Sequence, residues 1–236
     1  MSDSTSIEDI LGPRPEITRG HATLECAYPA GEETFTGLMM LRIATGAYED
    51  TDELVEGFVE MAEEFEEYFP DDEPVAPTDV PARFQQVLDE YKRVVHTTSY
   101  DAYCLLSLPE ILPSAGLILS WGDGFDSSEA LEVVCDLADQ YAEQGMDMRG
   151  YVYAHTQDLE RLVLTGDLYL GFGVLGPRDD VAAVAVGRQV VDVLRQLGLP
   201  FTWDGTVGAR ILVAPVLYEI ELEDETGEDG IGEDAD

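Results

Sequence analysis

The chain has 236 residues and is strongly acidic, with 50 aspartates and glutamates against 12 lysines and arginines and a formal net charge of −38 at pH 7. This charge excludes direct binding to nucleic acid or to an anionic membrane surface, because both are themselves polyanions. With 45% hydrophobic residues, the chain is long enough to bury a sizeable core. The composition therefore predicts a soluble globular protein.

The acidic excess is spread along the whole chain. Residues 219–236 hold ten acids and no base, so residues 1–218 still carry 40 acids against 12 bases, a balance of −28. Lys92 is the single lysine, and a surface adapted to concentrated salt is expected to lose the long apolar stems of lysine and to keep arginine for fixed ion pairs. Molar salt shortens the Debye length to about 3 Å and screens the repulsion among carboxylates. We therefore expect a salt-adapted protein of the haloarchaeal type, with a mimic of nucleic-acid phosphates as the alternative.

Cysteine and histidine usage favours a cytoplasmic protein without a metal or another cofactor. Cys26, Cys104 and Cys135 are odd in number and far apart, which is typical of reduced cysteines and not of a disulfide framework. The three histidines and three cysteines show no spacing typical of zinc ligands. Residues 1–6 lack the features of a secretory signal, and the apolar segment Ala102–Trp121 is interrupted by two prolines and a glutamate, which argues against a membrane span.

Apolar periodicity in the first half predicts mainly helices, followed by short strands. Gly46 is expected to end the first helix, and Thr51 or Asp52 to cap the second. Four prolines among acids in residues 70–81 indicate a linker with a boundary near Pro77. In chain order, the predicted elements are a strand at Thr18–Tyr28, helices at Glu33–Thr45, Thr51–Phe69 and Val80–Lys92, and strands at Val94–Ser99, Ala102–Leu108 and Gly116–Trp121.

Helices and strands alternate regularly in the second half. A capping box at Asp126–Glu129 opens a helix that ends at Gly145. The following elements are strands at Gly150–Ala154, Asp167–Val174, Phe201–Trp203 and Ala209–Leu217, with helices at Thr156–Leu164 and Asp180–Leu197. This alternation predicts an α/β fold in which an N-terminal helical segment precedes a layered, partly parallel mixed sheet with a βαβαββ-like C-terminal half.

Composition and periodicity together divide the chain into four parts. They are a flexible N-terminus at residues 1–17, a mainly helical segment at 18–77, an α/β core domain at 78–218 and a disordered acidic tail at 219–236. Pro215 places the last strand of the core at a sheet edge or near the end of the strand, because proline cannot donate a ladder hydrogen bond.

Several motifs in the second half resemble those of one known family. The segment Arg149–Arg161 joins an arginine-glycine-aromatic strand to a His-x-Gln-Asp turn, and further matching motifs follow in order at Leu168–Gly173, Val186–Val191 and Trp203–Gly205. With these motifs the chain resembles an uncharacterised prokaryotic domain of unknown function, common in actinobacteria, over about residues 38–217. The resemblance implies a shared fold and lends no activity. Family members often carry a cysteine cluster where this chain keeps only Cys104, so the resemblance implies no metal or thiol chemistry here.

His155 is the leading candidate for a functional residue. It stands where a strand gives way to a helix, a position from which a side chain faces the crevice at the carboxyl end of the strand. Gln157 and Asp158 occupy the first turn of that helix, Thr156 is expected to cap it, and Asp158 favours its positive end. The structural alternative is that His155 holds the strand–helix corner through one hydrogen bond.

A binding crevice is expected if the strands that carry Tyr151, Tyr169 and Trp203 are neighbours. The predicted ligand-binding residues are Tyr151, His155, Gln157, Asp158, Tyr169, Trp203, Asp204 and Arg210. Arg210 has an alternative role as the ion-pair partner of a nearby acid, because cations are few in this chain. His155 and Asp158 are the catalytic candidates.

The segment Gly171–Gly176 matches the glycine pattern of a dinucleotide-binding turn. Apolar residues alternate straight through it from Leu168 to Val174, which favours a strand over a phosphate-binding turn. The glycines are then strand residues that leave one sheet face without side-chain bulk, where Trp203 or Tyr151 packs.

These observations favour a cytoplasmic module that binds a small molecule or a protein, with oligomerisation left open. The first alternative is a small-molecule enzyme in which His155 and Asp158 form an acid–base pair, which requires a reacting group within about 3 Å of the ring. The second alternative is an acidic DNA mimic or interaction protein, which requires the acids to gather on one face. Binding is preferred over catalysis because the sequence spacing places no nucleophile beside His155 and Asp158.

Overall fold

The centre of the fold is a mixed β-sheet. The computed structural model describes residues 11–16, 29–48 and 50–222. The strands of the sheet are β1 (Leu117–Trp121), β2 (Gly150–Ala154), β3 (Leu168–Val174), β4 (Phe201–Thr202) and β5 (Ile211–Val213). Their order is β1-β2-β3-β5-β4, with β1 and β2 parallel and the other neighbours antiparallel. The predicted α/β class with a partly parallel mixed sheet is therefore confirmed.

Helices precede the sheet and alternate with its strands. The preceding helices are α1 (Phe35–Thr45), α2 (Thr51–Glu63), α3 (Phe65–Tyr68), α4 (Val80–Val94), α5 (Tyr100–Leu106) and α6 (Leu108–Ser114), with a 3-10 turn at Pro77–Asp79. The alternating helices are α7 (Ser127–Glu143), α8 (Thr156–Thr165) and α9 (Asp180–Gln196). The predicted helix Thr51–Phe69 is divided at Glu64 into α2 and α3.

Local hydrogen bonds and glycine conformation set the helix ends. Gly46 ends α1 with a φ of 61°, a left-handed conformation that glycine adopts without a Cβ clash. Asp126 begins α7 as predicted, because its carboxylate accepts from the N–H groups of Ser128 at 2.7 Å and Glu129 at 3.2 Å. The cap of α2 is Asp50, in place of the predicted Thr51 or Asp52.

The apolar stretch after α4 is not extended. The predicted strands Val94–Ser99 and Ala102–Leu108 are wrong, since residues 95–99 form no regular element and the second stretch lies in α5 and α6. The Ser99 hydroxyl accepts from the N–H of Ala102 at 3.3 Å and begins α5. Pro109 falls in the first turn of α6, where a missing N–H costs no helical hydrogen bond. Short apolar runs fit both secondary structures, so periodicity alone does not separate them.

Helices pack on both faces of the sheet. Helix α9 packs on the face that carries Val152 and Leu170, and a missing side chain at Gly150 leaves room there for Val186. Helix α7 contacts β1 and β2 and covers the β1 side of the opposite face, where Ile118 is buried and its register partner Tyr151 stays partly exposed. Helix α1 packs against both α4 and α8, and one continuous hydrophobic core joins the N-terminal helices to the sheet. The sequence boundary near residue 77 therefore separates two stretches that share a core.

Both termini of the described chain are tied to this core. Arg14 forms a bidentate ion pair with the fully buried Asp101, at 2.6 Å and 2.9 Å. The backbone of Ile220 donates to the Tyr91 hydroxyl at 3.2 Å and accepts from it at 2.7 Å. Arg14 lies in the segment predicted as a flexible N-terminus, and Ile220 lies in the segment predicted as an acidic tail from residue 219. The predicted strand Thr18–Tyr28 and the outer parts of both predicted flexible ends lie outside the described residues.

The last strand is shorter and more central than expected. It is predicted over Ala209–Leu217 but spans only Ile211–Val213. It lies between β3 and β4, so the edge position belongs to β4. Pro215 follows the end of β5, which agrees with the expectation that this proline lies near the end of the strand.

Candidate functional site

Three tyrosines and one arginine share a face of the sheet. Tyr151 and Tyr153 alternate with buried residues of β2, and the pairing of β2 with β3 places Tyr169 on the same side. Arg210 precedes β5, where the strand register continues to a position opposite Gly171 on this side. All four side chains are half-buried. We call the surface formed by Tyr151, Tyr153, Tyr169 and Arg210 the tyrosine face.

Two tyrosine rings occupy the space left by two glycines. Tyr153 pairs across strands with Gly171, and Tyr151 pairs with Gly173. A Cβ atom at Gly171 would stand 2.2 Å from the Tyr153 ring, and one at Gly173 would stand 2.3 Å from the Tyr151 hydroxyl. The first glycines of the Gly171–Gly176 motif are therefore strand residues that admit aromatic rings, as predicted, and no phosphate-binding turn forms there.

A bidentate ion pair joins α8 to the tyrosine face. The Nη1 of Arg210 donates to the Oδ1 of Asp158 at 3.0 Å, and the Nη2 of Arg210 donates to the Oδ2. Asp158 is only 3% exposed, and its Oδ2 also accepts the backbone N–H of His155 at 3.2 Å. Paired arginine–carboxylate hydrogen bonds are strong and directional. The geometry thus supports the ion-pair alternative for Arg210.

Arginine groups also contact the rings of the tyrosine face. The guanidinium carbon of Arg210 lies 5.3 Å from the centroid of the Tyr153 ring and 5.9 Å from that of Tyr169. Its Nη2 donates to the backbone carbonyl of Tyr169. Arg161, which is exposed on α8, lies 5.7 Å from the Tyr169 ring. Cation–π contacts of this kind hold the rings and the guanidinium groups in a fixed arrangement.

His155 is buried beside the ion pair. The residue is 7% exposed, its Nε2 lies 3.2 Å from the Oδ2 of Asp158, and its ring stacks at 6.4 Å on that of Tyr153. Burial lowers the pKa of His155, and Arg210 lowers it further, whereas the Asp158 carboxylate opposes both effects. The imidazole is therefore neutral at neutral pH. Its buried Nδ1 has no hydrogen-bond partner within the described residues.

His155 also forms the corner between β2 and α8. It is the N-cap residue of α8, where Thr156 is predicted. The Thr156 hydroxyl instead donates to the carbonyl of Gly122 at 2.9 Å and ties α8 to the end of β1. At the start of α8 the Asp158 carboxylate accepts the backbone N–H of His155. This is one of the two hydrogen bonds of a capping box, the one from the N-cap N–H to the side chain of the third helical residue.

The remaining predicted site residues lie apart from this cluster. Gln157 is exposed on the first turn of α8. Trp203 packs edge-on against Phe172 at 5.4 Å and lies over Gly187 of α9, so it belongs to the opposite face of the sheet. Asp204 closes a turn, because its Oδ1 accepts from both the N–H and the hydroxyl of Thr206 at 2.8 Å. The structure therefore brings together His155, Asp158, Tyr151, Tyr169 and Arg210, and separates them from the other three.

The cluster presents aromatic rings and guanidinium groups, and its carboxylate, that of Asp158, is already hydrogen-bonded. Both oxygens of Asp158 accept hydrogen bonds from Arg210. Two hydroxyls near the carboxyl ends of β1 and β2 are also engaged, since Ser120 donates to Asp123 at 3.0 Å and Thr156 donates to a backbone carbonyl. Chemically, the arrangement is suited to holding rings and a guanidinium group rigidly at a surface.

Sequence reasoning missed two residues of the site, Tyr153 and Arg161. Tyr153 stands two positions after Tyr151, so strand alternation alone identifies it as a member of the same face. Arg161 stands three positions after Asp158, which places both on one side of α8. The contact of Arg161 with Tyr169 depends on the β2–α8–β3 connection and is not evident from spacing.

Comparison with known proteins identifies a family. No group of three or more histidine, cysteine or acidic side chains within the described ranges is arranged to hold a metal ion, and none of the helices there has the length and apolarity needed to cross a bilayer. No curated protein and no solved structure matches the chain significantly. The model of the family described as a domain of unknown function, DUF6891, matches residues 31–219, a range that holds the sheet and the tyrosine face. The chain therefore belongs to the DUF6891 family.

Proposed function

We propose that the protein is a non-catalytic interaction module that binds another protein through the tyrosine face. The observation that carries the proposal is a set of half-buried tyrosine rings around Arg210, which the buried Asp158 fixes in place. Tyrosine and arginine are enriched at the energetic centres of protein interfaces. A sheet face that carries several rings side by side suits a protein partner better than a small ligand, which is usually enclosed by a pocket.

The tyrosine face is already ordered before a partner arrives. Gly171 and Gly173 admit the rings of Tyr153 and Tyr151, and Asp158 holds both terminal nitrogens of Arg210. Immobilising a flexible side chain on binding costs about 0.5–1.5 kcal/mol. Because Arg210 is fixed in the unbound protein, this cost does not oppose its use in an interface.

Charge indicates the chemistry of the partner. Asp158 neutralises Arg210, whereas Arg161 is exposed beside Tyr169. In a protein with a net charge of −38, such a cation attracts a carboxylate on an approaching surface. We expect a partner that places one acidic side chain near Arg161 and covers the rings with apolar or aromatic residues.

The two other hypotheses receive less support from the geometry. An acid–base pair of His155 and Asp158 needs an accessible ring and an available carboxylate, but the residue is 7% exposed and the carboxylate is bound by Arg210. A nucleic-acid mimic needs acids on one face. Exposed acids instead stand on helices of different layers, for example Glu56 of α2, Glu132 of α7 and Asp192 of α9.

We further propose that the protein works in the cytoplasm of a salt-accumulating cell. Acids on several layers are expected of a surface adapted to brine, where screening removes their mutual repulsion. Cys104 is buried and Cys135 is exposed, and both are free thiols, which suits a reducing compartment.

Differential capture in molar potassium chloride tests the binding proposal. The wild-type protein, Tyr169→Ala and Tyr103→Ala are immobilised and exposed to an extract of the cells that produce the protein. Tyr169→Ala removes the ring but keeps the backbone carbonyl that Arg210 uses, and Tyr103 is a matched control on α5 with 44% exposure. We expect at least one protein to bind wild type and Tyr103→Ala but not Tyr169→Ala. Equal retention of every captured protein by all three contradicts the proposal.

A further inference from the structure

A cavity distinct from the tyrosine face lies between α1 and α2. Its volume is about 320 Å³, and its apolar wall includes Leu54, Phe58 and Met61 of α2. Phe58 is 2% exposed and belongs to the hydrophobic core, so the cavity reaches from the surface to the core. A cavity with such a wall is suited to an apolar group of a small molecule.

Charged groups of both signs line the same cavity. Arg42 of α1 contributes a side chain that is 26% exposed, and the exposed residues Asp50 and Glu53 contribute carboxylates at the start of α2. The Nη2 of Arg42 lies 3.0 Å from the Oε1 of Glu160, whose side chain is 4% exposed. Within the described residues this ion pair engages one terminal nitrogen of Arg42 and anchors the group at the cavity, which leaves further N–H donors for a second anion.

We propose that this cavity binds a zwitterionic α-amino acid with an apolar side chain. The ligand carboxylate pairs with Arg42, its ammonium group pairs with Asp50 and Glu53, and its side chain packs on the apolar wall. Charge complementarity favours this occupant over simpler ones. A plain carboxylate meets the two acids without a compensating cation, and a plain amine leaves Arg42 without an anion.

Gly57 offers a way to close the cavity without breaking an existing contact. It lines the cavity within α2, and a Cβ atom at this position meets no atom within 4 Å. Its backbone is helical, so a larger residue is not strained there. Gly57→Leu is therefore expected to place a side chain in the cavity, and Gly57→Ala is the matched control that adds one methyl group.

Calorimetric titration and thermal shift in molar potassium chloride test the proposal. The probes are L-leucine, isoamylamine (leucine without the carboxylate) and isocaproate (leucine without the amine). We expect leucine to raise the melting temperature by several degrees at saturating concentration and to bind at least about tenfold more tightly than either fragment. Absence of leucine binding overturns the proposal, and so does equal affinity for isoamylamine or isocaproate.

The variants separate binding from folding. Gly57→Leu is expected to fold with an unchanged or higher melting temperature and to lose leucine binding, while Gly57→Ala keeps it. Arg42→Gln is expected to weaken leucine binding at least about tenfold. Because this change also removes the arginine that pairs with Glu160, the comparison of Gly57→Leu with Gly57→Ala is the decisive test. Full leucine affinity in a folded Gly57→Leu protein overturns the assignment of this cavity. The tyrosine face is not involved, so its variants are expected to bind leucine as wild type does.

Discussion

Tyr153 lies across Gly171, its antiparallel partner on β3, in the space that any larger residue would fill. The centroid of the same ring lies 5.3 Å from the guanidinium carbon of Arg210. Because Gly171 has no side chain, the Tyr153 ring packs directly on the sheet, and this ring contacts the guanidinium group of Arg210. The glycine pattern in this chain serves the tyrosine face.

Gly171→Ala is expected to destabilise the fold by about 1–3 kcal/mol, because a Cβ atom placed 2.2 Å from the Tyr153 ring forces the ring to move. Urea unfolding in molar potassium chloride measures this change. Gly57→Ala is the matched control, and we expect it to stabilise α2 by about 0.5–1 kcal/mol because its Cβ meets no atom within 4 Å.

A double-mutant cycle identifies the cause of this loss. In a Tyr153→Ala background, the cost of Gly171→Ala is expected to fall, which gives a coupling energy of about 0.5–3 kcal/mol. An equal cost in both backgrounds is inconsistent with a steric role for the ring.

Asp158→Asn is expected to lower the free energy of unfolding by about 3 kcal/mol, as measured by urea unfolding. The reason is that Asp158 is 3% exposed and satisfies Arg210 and the N–H of His155. The value lies at the low end for a buried pair because the Arg210 side chain is 29% exposed. Asp192→Asn, in a pair whose side chains are both more than half exposed, is the control, with an expected change below about 1 kcal/mol. Similar losses in both variants contradict the structural role of Asp158.

The sequence predicts individual elements better than the partners that complete the site. The alternation of apolar residues from Leu168 to Val174 is enough to identify the first glycines of the motif as strand residues, because a period of two assigns each residue to one face of the sheet. The pairing of Asp158 with Arg210 spans 52 positions and depends on β5 lying next to β3, an order that no local pattern contains. Trp203 is misplaced for the same reason: it lies just beyond β4 and packs on the α9 face.

His155→Gln is expected to make stability less sensitive to acid. Burial lowers the pKa of His155, so the unfolded chain binds a proton at a higher pH than the folded chain. The stability of the wild type is therefore complete above the unfolded pKa of about 6.5 and falls as the pH drops below it. Melting temperatures between about pH 7.5 and pH 5.5 should fall less for His155→Gln than for wild type. His96→Gln, an exposed control, is expected to follow wild type, and identical slopes for all three proteins contradict burial of a neutral imidazole.

Salt is expected to stabilise the protein. A net charge of −38 repels itself in dilute buffer, whereas molar salt reduces the Debye length to about 3 Å. The melting temperature should therefore rise steadily from dilute buffer to molar potassium chloride. Sucrose at matched osmolality is the control, because it does not screen charge. An equal melting temperature at both salt concentrations contradicts adaptation to brine.

The dissociation constant of a captured partner, purified and titrated in molar potassium chloride, tests the proposed role of the tyrosine face most directly. We predict that Tyr169→Ala weakens binding at least about tenfold, as expected of an aromatic residue at the centre of an interface, and that Tyr103→Ala leaves the constant unchanged. A partner that binds wild type and Tyr169→Ala with the same dissociation constant contradicts the assignment of this face as the binding surface.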